Sequence, residues 1–173
     1  MTKLDIINVP DPLLKTVSDP VGQVDDDLRR LMDNMLETMY AAPGIGLAAI
    51  QVAVPKRVIV LDTEGDEEEG RKPLFLVNPE VIWESEEFSV YNEGCLSVPE
   101  HYAEVERPAS VKVRYFDYHG KEQEELMEGL KATCVQHEID HLNGVVFIDY
   151  LSKLKRNMII KKVRKATKDT AIL

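Results

Sequence analysis

The sequence predicts an α+β fold in which antiparallel β-strands pack around a central helix, with an N-terminal helix before them and a basic C-terminal helix after them. Three observations predict it: an apolar stripe with helical spacing near the N-terminus, short β-type runs separated by turns in the middle, and two helical stretches after them. The chain has 173 residues, of which 44% are hydrophobic. This suits one domain, residues 1–173, with a buried core.

The first helix is predicted at residues 25–42. Its apolar residues alternate steps of three and one, which gives a single stripe along one face. Three aspartates at residues 25–27 place negative charge at the positive end of the helix dipole, and Pro43-Gly44 ends the helix. The stripe consists of Leu28, Leu31, Met32, Met35, Leu36, Met39 and Tyr40.

Runs rich in valine, isoleucine and aromatic residues follow and predict β-strands. A turn at residues 117–120 predicts a hairpin that leads into the last of these strands. The acidic stretch 63–72 is predicted to be a solvated loop between strands. The predicted strands are residues 58–61, 74–77, 81–83, 111–116 and 123–127.

Two further helices are predicted after the strands. One covers residues 130–142 and is closed by an Asn-Gly pair at residues 143–144, a common C-terminal stop. The other covers residues 152–168 and is strongly basic. Leu126 and Leu130 extend one face of the first of these two helices, and we expect this face to point into the protein.

The most specific motif of the chain lies on the predicted helix at residues 130–142. It reads Gln136-His137-Glu138-Ile139-Asp140-His141, an HExxH signature. Residues four apart share one helix face, so His137 and His141 can bind the same metal ion. Glu138 can then face a metal-bound water and take its proton. The motif predicts a metal-binding central helix and hydrolysis at that metal.

A catalytic metal site of this kind needs a third protein ligand and one open position. Downstream of the motif the chain offers Asp149 and Asp169 but no glutamate and no third histidine. Upstream, Cys95 stands in the sequence EGCLS, in a turn after a strand, and a thiolate is a strong ligand for iron, zinc or cobalt. Cys134, three residues before His137, is either a fourth ligand or a buried thiol in a pocket wall.

Three classes of function stay open on these residues. The first is a metal-dependent hydrolase that uses Cys95 as a ligand. The second is an HExxH metallopeptidase, which the missing downstream ligand disfavours. The third is a non-catalytic binding module, in which Cys134 would complete a closed structural metal site.

Three motifs together resemble the peptide deformylase family. GIGLAAIQ begins at Gly44, EGCLS begins at Glu93, and QHEIDH begins at Gln136. They follow in the family's order and at similar spacing, and the resemblance covers nearly the whole chain. The short connection at residues 63–72 and the continuous helical tail are similar to the type 1 enzymes of Gram-negative bacteria.

The resemblance implies one divalent ion, ferrous in the native enzymes, for which Zn²⁺, Ni²⁺ or Co²⁺ can substitute. Its ligands would be Cys95, His137 and His141. Glu138 would act as the general base and then as the acid that protonates the leaving amine. Gln51, through its side-chain amide, and Leu96, through its backbone N–H, would stabilise the oxyanion of the tetrahedral intermediate.

The implied reaction removes formate from the N-formylmethionine of newly synthesised polypeptides. Glu93 is expected either to pair with Arg107, which would brace the turn that carries Cys95, or to form a plain surface pair. Specificity for methionine requires an apolar slot beside the metal. Glycines in a turn would also let the backbone lie close to the substrate. The residues expected to bind substrate are Gly44, Ile45, Gly46, Tyr91, Glu93, Leu130, Thr133 and Cys134.

Charge is unevenly distributed along the chain. Residues 1–150 carry 13 Lys/Arg and 30 acidic residues, a net −17, whereas residues 151–173 carry eight Lys/Arg and one acidic residue, a net +7. The acidic body argues against binding of free nucleic acid. In related bacterial enzymes such a terminal helix docks on the ribosome near the exit tunnel; the alternative is a capping helix whose charges only solvate it.

The sequence also predicts where the protein works. No apolar run approaches the roughly 20 residues that span a bilayer, so no membrane partner is expected. The N-terminus has no secretory signal or transit character. Two cysteines are too few for a disulfide scaffold. Together these features predict a cytoplasmic protein.

Overall fold

The structure is a computed structural model that describes the backbone of residues 2–172 and the side chains of residues 2–167. It confirms the predicted fold class, with three α-helices and two antiparallel sheets within these residues. The first helix, α1, spans Asp26–Ala41, and the side chain of Asp25 caps it by accepting a hydrogen bond from the backbone N–H of Leu28. Its predicted apolar stripe is confirmed, since Met32, Met35 and Met39 are fully buried.

The larger sheet has five strands in the order β1-β2-β3-β6-β7, all antiparallel to their neighbours. The remaining two strands, β4 and β5, pair with each other as a separate antiparallel hairpin. Antiparallel pairing is expected where short turns connect successive strands. The strands are β1 Gly46–Ala48, β2 Val58–Leu61, β3 Leu74–Glu84, β4 Phe88–Cys95, β5 Val98–Pro108, β6 Ser110–Phe116 and β7 Glu122–Glu128.

The prediction of separate strands at residues 74–77 and 81–83 is wrong, because both belong to the single strand β3. The pairing of β3 with β6 shifts between Val77 and Glu80, where Asn78 adopts a left-handed backbone with φ of 52°. Asparagine tolerates that conformation better than most residues, and such a shift lets one strand bend without ending. The local Asn-Pro sequence therefore marks a bulge and not a turn.

The helix that carries the HExxH motif, α2, spans Gly129–Leu142. Ala132, Val135 and Leu142 are fully buried among side chains of the five-stranded sheet, and the helix also contacts β5 of the hairpin. The helix ends at Asn143, followed by Gly144 with a φ of 78°, as its Asn-Gly sequence predicts. The central position of this helix is confirmed.

The expectation that Leu126 and Leu130 begin the buried face of this helix is wrong. Leu126 lies in β7 and is 53% exposed, and Leu130 is 44% exposed. Gly129 has a φ of 60°, so the chain turns sharply between the strand and the helix. Residues on either side of that turn do not share one helical face, and the buried face begins at Ala132.

The last helix, α3, spans Lys153–Ile172. Ile159 and Val163 are buried against β5 and a short 3₁₀ helix, Phe147–Tyr150, while Leu154 and Met158 remain exposed. Its apolar residues thus divide between a packed face and an open face. Among the described residues, no helix has both the length and the apolar character that crossing a membrane requires.

Candidate metal centre

Three side chains that can bind a metal converge between the hairpin and α2. Cys95 ends β4, and His137 and His141 lie one helical turn apart on α2. Their ligand atoms all lie within 4.8 Å of one another, and the Cys95 Sγ is 3.3 Å from the His141 Nε2. Both histidines are buried. One thiolate and two imidazoles can occupy three corners of a tetrahedron and leave the fourth for water.

The orientation of His137 is fixed from behind by Glu93 on β4. The Nδ1 atom of His137 lies 2.9 Å from a carboxylate oxygen of Glu93, so its Nε2 atom is the one that faces Cys95 and His141. A carboxylate bonded to the outer nitrogen of a ligating histidine sets its tautomer and raises its basicity. Glu93, which we expected to bind substrate, therefore orients a metal-binding histidine.

Arg107 completes this support from the opposite strand of the hairpin. It donates two hydrogen bonds to Glu93, at 2.7 Å and 2.9 Å, and a third to Asp140 on α2 at 2.8 Å. The expected Glu93–Arg107 pair is confirmed, and both partners are buried. Asp140 also accepts a hydrogen bond from the Tyr150 hydroxyl. The network therefore joins both strands of the hairpin to the metal-binding helix.

The charges around these histidines favour a cation. Burial opposes a positive charge on His137, but nearby Glu138 and the hydrogen bonds to Cys95 and Glu93 raise its pKa well above the usual range. Burial, together with the positive charge of His137, lowers the pKa of His141 well below its usual range and keeps that ring neutral. A neutral imidazole is the form that binds metal. One cation between these groups would satisfy the anions around His137.

Glu138 points into the same space. It is buried, and its Oε1 atom has no hydrogen-bond partner among the described residues. Burial raises the pKa of this carboxyl group to about 7, although the positive charge of His137 opposes that rise. A buried carboxylate with a free oxygen and a pKa near neutrality can both accept and return a proton. A bound cation would favour its ionised form.

Gly46 leaves the room that Glu138 occupies. A Cβ atom at this position would lie 2.5 Å from the Oε2 atom of Glu138 and 2.8 Å from the sulfur of Cys134. Any larger residue would therefore displace the carboxylate. Gly44 has a similar relation to Leu96, since a Cβ atom there would lie 2.7 Å from the Cδ1 atom of that leucine. Both glycines let the backbone at the start of β1 and just before it approach the centre closely.

Gln51 lies on the other side of the sulfur. Its Oε1 atom accepts a hydrogen bond from the backbone N–H of Ala48 at 2.9 Å, which fixes which end of the amide faces the centre. Its Nε2 atom donates to the Ser97 hydroxyl at 3.1 Å and lies 3.5 Å from the sulfur of Cys95. A carboxamide N–H is thus held beside the centre, next to the residue pair Cys95-Leu96. Ser97 is a contact that sequence reasoning missed, although it lies in the EGCLS motif.

Cys134 is not among the converging ligand atoms. Its sulfur faces the backbone carbonyl oxygen of Ile45 at 3.8 Å, and burial raises the pKa of its thiol well above the usual value. A neutral thiol is a poor metal ligand. The structure therefore places Cys134 in the wall of the cavity. Of the two alternatives for this residue, a fourth ligand or a buried thiol, it supports the buried thiol.

A cavity of about 680 Å³ opens from this centre to the surface. All the residues that we expected to bind substrate line it, together with Gln51, Leu96 and two of the converging ligand residues, Cys95 and His137. Both carboxylate oxygens of Glu93 are already bonded to His137 and Arg107, so this residue braces the wall and has little capacity left for substrate. The wall is largely apolar, as a slot for a methionine side chain requires.

Replacement of Glu93 by glutamine should weaken both metal binding and folding. The amide can satisfy only part of the contacts to His137 and Arg107, so we expect metal affinity to fall about 10–100-fold and the free energy of unfolding to fall by about 1–3 kcal/mol. Metal titration and urea unfolding measure these changes. Glu124→Gln, which removes an exposed ion-pair partner of Arg114 on β7, is the matched control and should change neither.

The difference in unfolding free energy between wild type and Glu93→Gln should also depend on pH. Burial alone would raise the pKa of Glu93, but hydrogen bonds from His137 and Arg107 offset this and hold the pKa below its usual value. The carboxylate therefore contributes stability above the ordinary glutamate pKa of about 4.3, and that contribution is lost as the pH falls through the lower pKa of the folded state. A difference between wild type and Glu93→Gln that grows in acid would contradict this assignment.

Comparison with known proteins identifies the kind of site. The family model described as polypeptide deformylase matches residues 3–157. The peptide deformylase of Phenylobacterium zucineum (strain HLK1) is 63% identical over 164 residues, which cover 95% of this chain and 96% of the relative. A crystal structure of peptide deformylase from Ehrlichia chaffeensis superposes with a TM-score of 0.93 at 42% identity, covering 99% of this chain and 100% of that one. The Ehrlichia enzyme in complex with actinonin gives a TM-score of 0.90 at 46% identity, covering 96% and 98%.

Proposed function

Since this chain belongs to the polypeptide deformylase family and is a hydrolase that removes N-terminal formyl groups, we propose which of its residues carry the reaction. Cys95, His137 and His141 hold one divalent ion, and Glu138 transfers the proton. The observation that carries this assignment is the convergence of three ligand atoms beside a buried carboxylate that has a free oxygen. A relative from Ehrlichia chaffeensis binds actinonin, and we place the substrate of this chain in the corresponding cavity.

An ion held by Cys95, His137 and His141 would supply Lewis acidity and make water a nucleophile near neutral pH. Glu138 accepts a proton from the attacking water through its free Oε1 atom. The formyl carbon then becomes tetrahedral, and negative charge develops on its oxygen. The Gln51 amide and the backbone N–H of Leu96 donate hydrogen bonds to that oxygen. Glu138 finally returns its proton to the nitrogen of the leaving amine, which releases formate and a free N-terminus.

We assign Fe²⁺ as the ion in the native enzyme, with Zn²⁺, Ni²⁺ or Co²⁺ able to replace it. One thiolate and two imidazoles suit all of these borderline cations, so the ligands do not select among them by affinity alone. The buried pair of Glu93 and Arg107 orients His137 for any of them. The apolar wall near Ile45 and Cys134 takes the methionine side chain of formylated nascent polypeptides. Such chains are made in the cytoplasm, where we place the enzyme.

Formate release from formyl-Met-Ala-Ser tests this function directly. Protein purified without oxygen and loaded with one equivalent of Fe²⁺ should release formate, and the rate should scale with metal content across partially loaded samples. Removal of the ion with a chelator should abolish release, and added Fe²⁺ should restore it. Equal rates in loaded and metal-free protein would contradict the assignment.

We also propose that α3 docks on the ribosome. Its Lys161 and Lys165 are exposed, next to the open apolar side formed by Leu154 and Met158. The positive segment stands on an acidic body, so attraction to ribosomal RNA can orient the enzyme. Ile159 and Val163 are buried, which fixes the helix to the body while the basic side stays free.

Charge reversal on α3 should weaken ribosome binding without loosening the helix. The double variant Lys161→Glu, Lys165→Glu leaves the buried Ile159 in place, and we expect it to co-sediment with ribosomes less than wild type in low salt. The control is Lys56→Glu, Lys121→Glu, two exposed lysines outside α3 that change net charge equally. Equal co-sedimentation of both double variants would reject docking through α3.

A further inference from the structure

Ser97 is a fully buried polar residue beside the metal centre. Its hydroxyl oxygen accepts a hydrogen bond from the Nε2 atom of Gln51 at 3.1 Å, and Gln51 is itself buried. Because both side chains are shielded from bulk solvent, water does not compete for this bond. The proposed reaction uses Gln51 as a hydrogen-bond donor and leaves Ser97 without a role.

The amide of Gln51 is held at both ends. A carboxamide is planar and carries one acceptor oxygen and two N–H donors. The oxygen accepts a hydrogen bond from the backbone N–H of Ala48 at 2.9 Å, and one N–H is donated to Ser97. These two bonds fix the plane of the amide and, with it, the direction of the second N–H. That N–H is directed towards the Cys95 sulfur, which lies 3.5 Å from the nitrogen.

Backbone contacts fix the position of Ser97 independently of its side chain. The backbone N–H of Val9 donates to the carbonyl oxygen of Ser97 at 3.0 Å, and that of Ile7 donates to the carbonyl oxygen of Gln51 at 2.8 Å. The backbone N–H of Ser97 lies 3.4 Å from the Cys95 sulfur. The hydroxyl group of Ser97 can therefore be removed while all these backbone contacts remain.

We propose that Ser97 is a positioning residue for the reaction: its hydroxyl group holds one N–H of the Gln51 amide so that the other N–H is aimed at the oxyanion. The inference rests on the proposed function, because only the oxyanion role of Gln51 gives the direction of its amide a consequence. A donor that must first reorient stabilises a transition state less than one already in place. The oxyanion forms only during the reaction, so the effect of Ser97 belongs in kcat and not in KM.

The test is a double-mutant cycle on formate release from formyl-Met-Ala-Ser by metal-loaded protein. Ser97→Ala should lower kcat about tenfold, with KM within about twofold of wild type. Gln51→Ala, which removes the donor itself, should lower kcat on the order of 10²–10³-fold. In the Gln51→Ala background, Ser97→Ala should lower kcat further by less than about twofold, since no amide is left to orient. A full tenfold loss in that background would overturn the proposal.

A measurement without turnover tests the orientation of the amide directly. In zinc-loaded protein with isotopically labelled glutamines, the side-chain amide signals of Gln51 are those that disappear in Gln51→Ala. We expect these amide protons to exchange with solvent faster in Ser97→Ala than in wild type, because one of them has lost its acceptor. Metal content should stay at one equivalent, since the contact with the Cys95 sulfur uses the backbone of Ser97. Unchanged exchange, or a loss of metal that parallels the loss of activity, would contradict the positioning role.

Ser18→Ala is the matched control, because it removes another buried hydroxyl group outside the cavity wall. Within the described part of the chain, the Ser18 Oγ atom has no hydrogen-bond partner. This variant should keep wild-type kcat and unchanged Gln51 signals, and an equal loss of kcat in both serine variants would reject the proposal in favour of packing alone. A wild-type kcat in Gln51→Ala would refute the oxyanion role of Gln51 and this inference with it. A slow Gln51→Ala beside a fast Ser97→Ala would refute the role of Ser97 alone.

Discussion

Replacement of Glu138 by alanine should lower kcat by on the order of 10²–10⁴-fold while the protein keeps its metal. The carboxylate is the proton acceptor in the proposed reaction, and its free Oε1 atom is the group that reaches the attacking water. It is not among the converging ligand atoms of Cys95, His137 and His141, so its removal leaves the metal site intact. Formate release and metal content measured on the same sample separate the two effects.

Glu138→Gln is the sharper companion to this variant. Glutamine keeps the shape and fills the space beside Gly46, but it cannot accept the proton. Both variants should therefore be slow, and the glutamine variant should not recover activity as the pH rises. A glutamine variant with near wild-type kcat would contradict general-base catalysis by Glu138 and would reduce its role to packing.

Replacement of Cys95 by serine should remove the metal and, with it, the activity. Serine keeps the size of the side chain, but its hydroxyl group is not ionised near neutral pH and binds these cations weakly. Loss of a residue that only hydrogen-bonds to a ligand, as Glu93 does to His137, lowers metal affinity roughly 10–100-fold. We expect a greater loss of affinity in Cys95→Ser. His137 and His141 stay positioned by α2 and should still bind metal weakly. The site of this variant should therefore fill only when metal is in excess. Metal content after dialysis measures this.

Cys134→Ser is the matched control for this change, since it makes the same substitution at the other cysteine. Cys134 faces Ile45 and not the ligand cluster, so the control should keep one equivalent of metal. Its effect should be confined to KM, because the thiol belongs to the wall of the methionine slot. Loss of metal in Cys134→Ser but not in Cys95→Ser would reverse the roles of the two residues.

Spacing on a helix made the metal centre predictable from the sequence. His137 and His141 are four residues apart, and any α-helix places them on one face. The third ligand could be found because few candidates exist: the chain has two cysteines, and only Cys95 stands where a strand meets a turn. Both features involve residues close together in the sequence, so they can be recognised without knowing the tertiary fold.

Contacts between distant segments were harder to predict. Pairing of Glu93 with Arg107 was expected, but the bond from Glu93 to His137 requires knowing that the hairpin lies against α2. The strand β5 itself was missed, because small residues such as Ala103 and Val105 alternate with glutamates and give a weak apolar signal. Leu126 was misplaced for a related reason, since the turn at Gly129 separates it from the helix.

X-ray absorption at the metal edge of the loaded protein tests the central claim most directly, namely that Cys95, His137 and His141 share one ion. For the zinc form we expect one sulfur at about 2.3 Å, two imidazole nitrogens at about 2.0–2.1 Å and one light atom from solvent. The sulfur should vanish in Cys95→Ser and persist in Cys134→Ser. A spectrum without sulfur, or one with two sulfurs and no solvent ligand, would contradict the account.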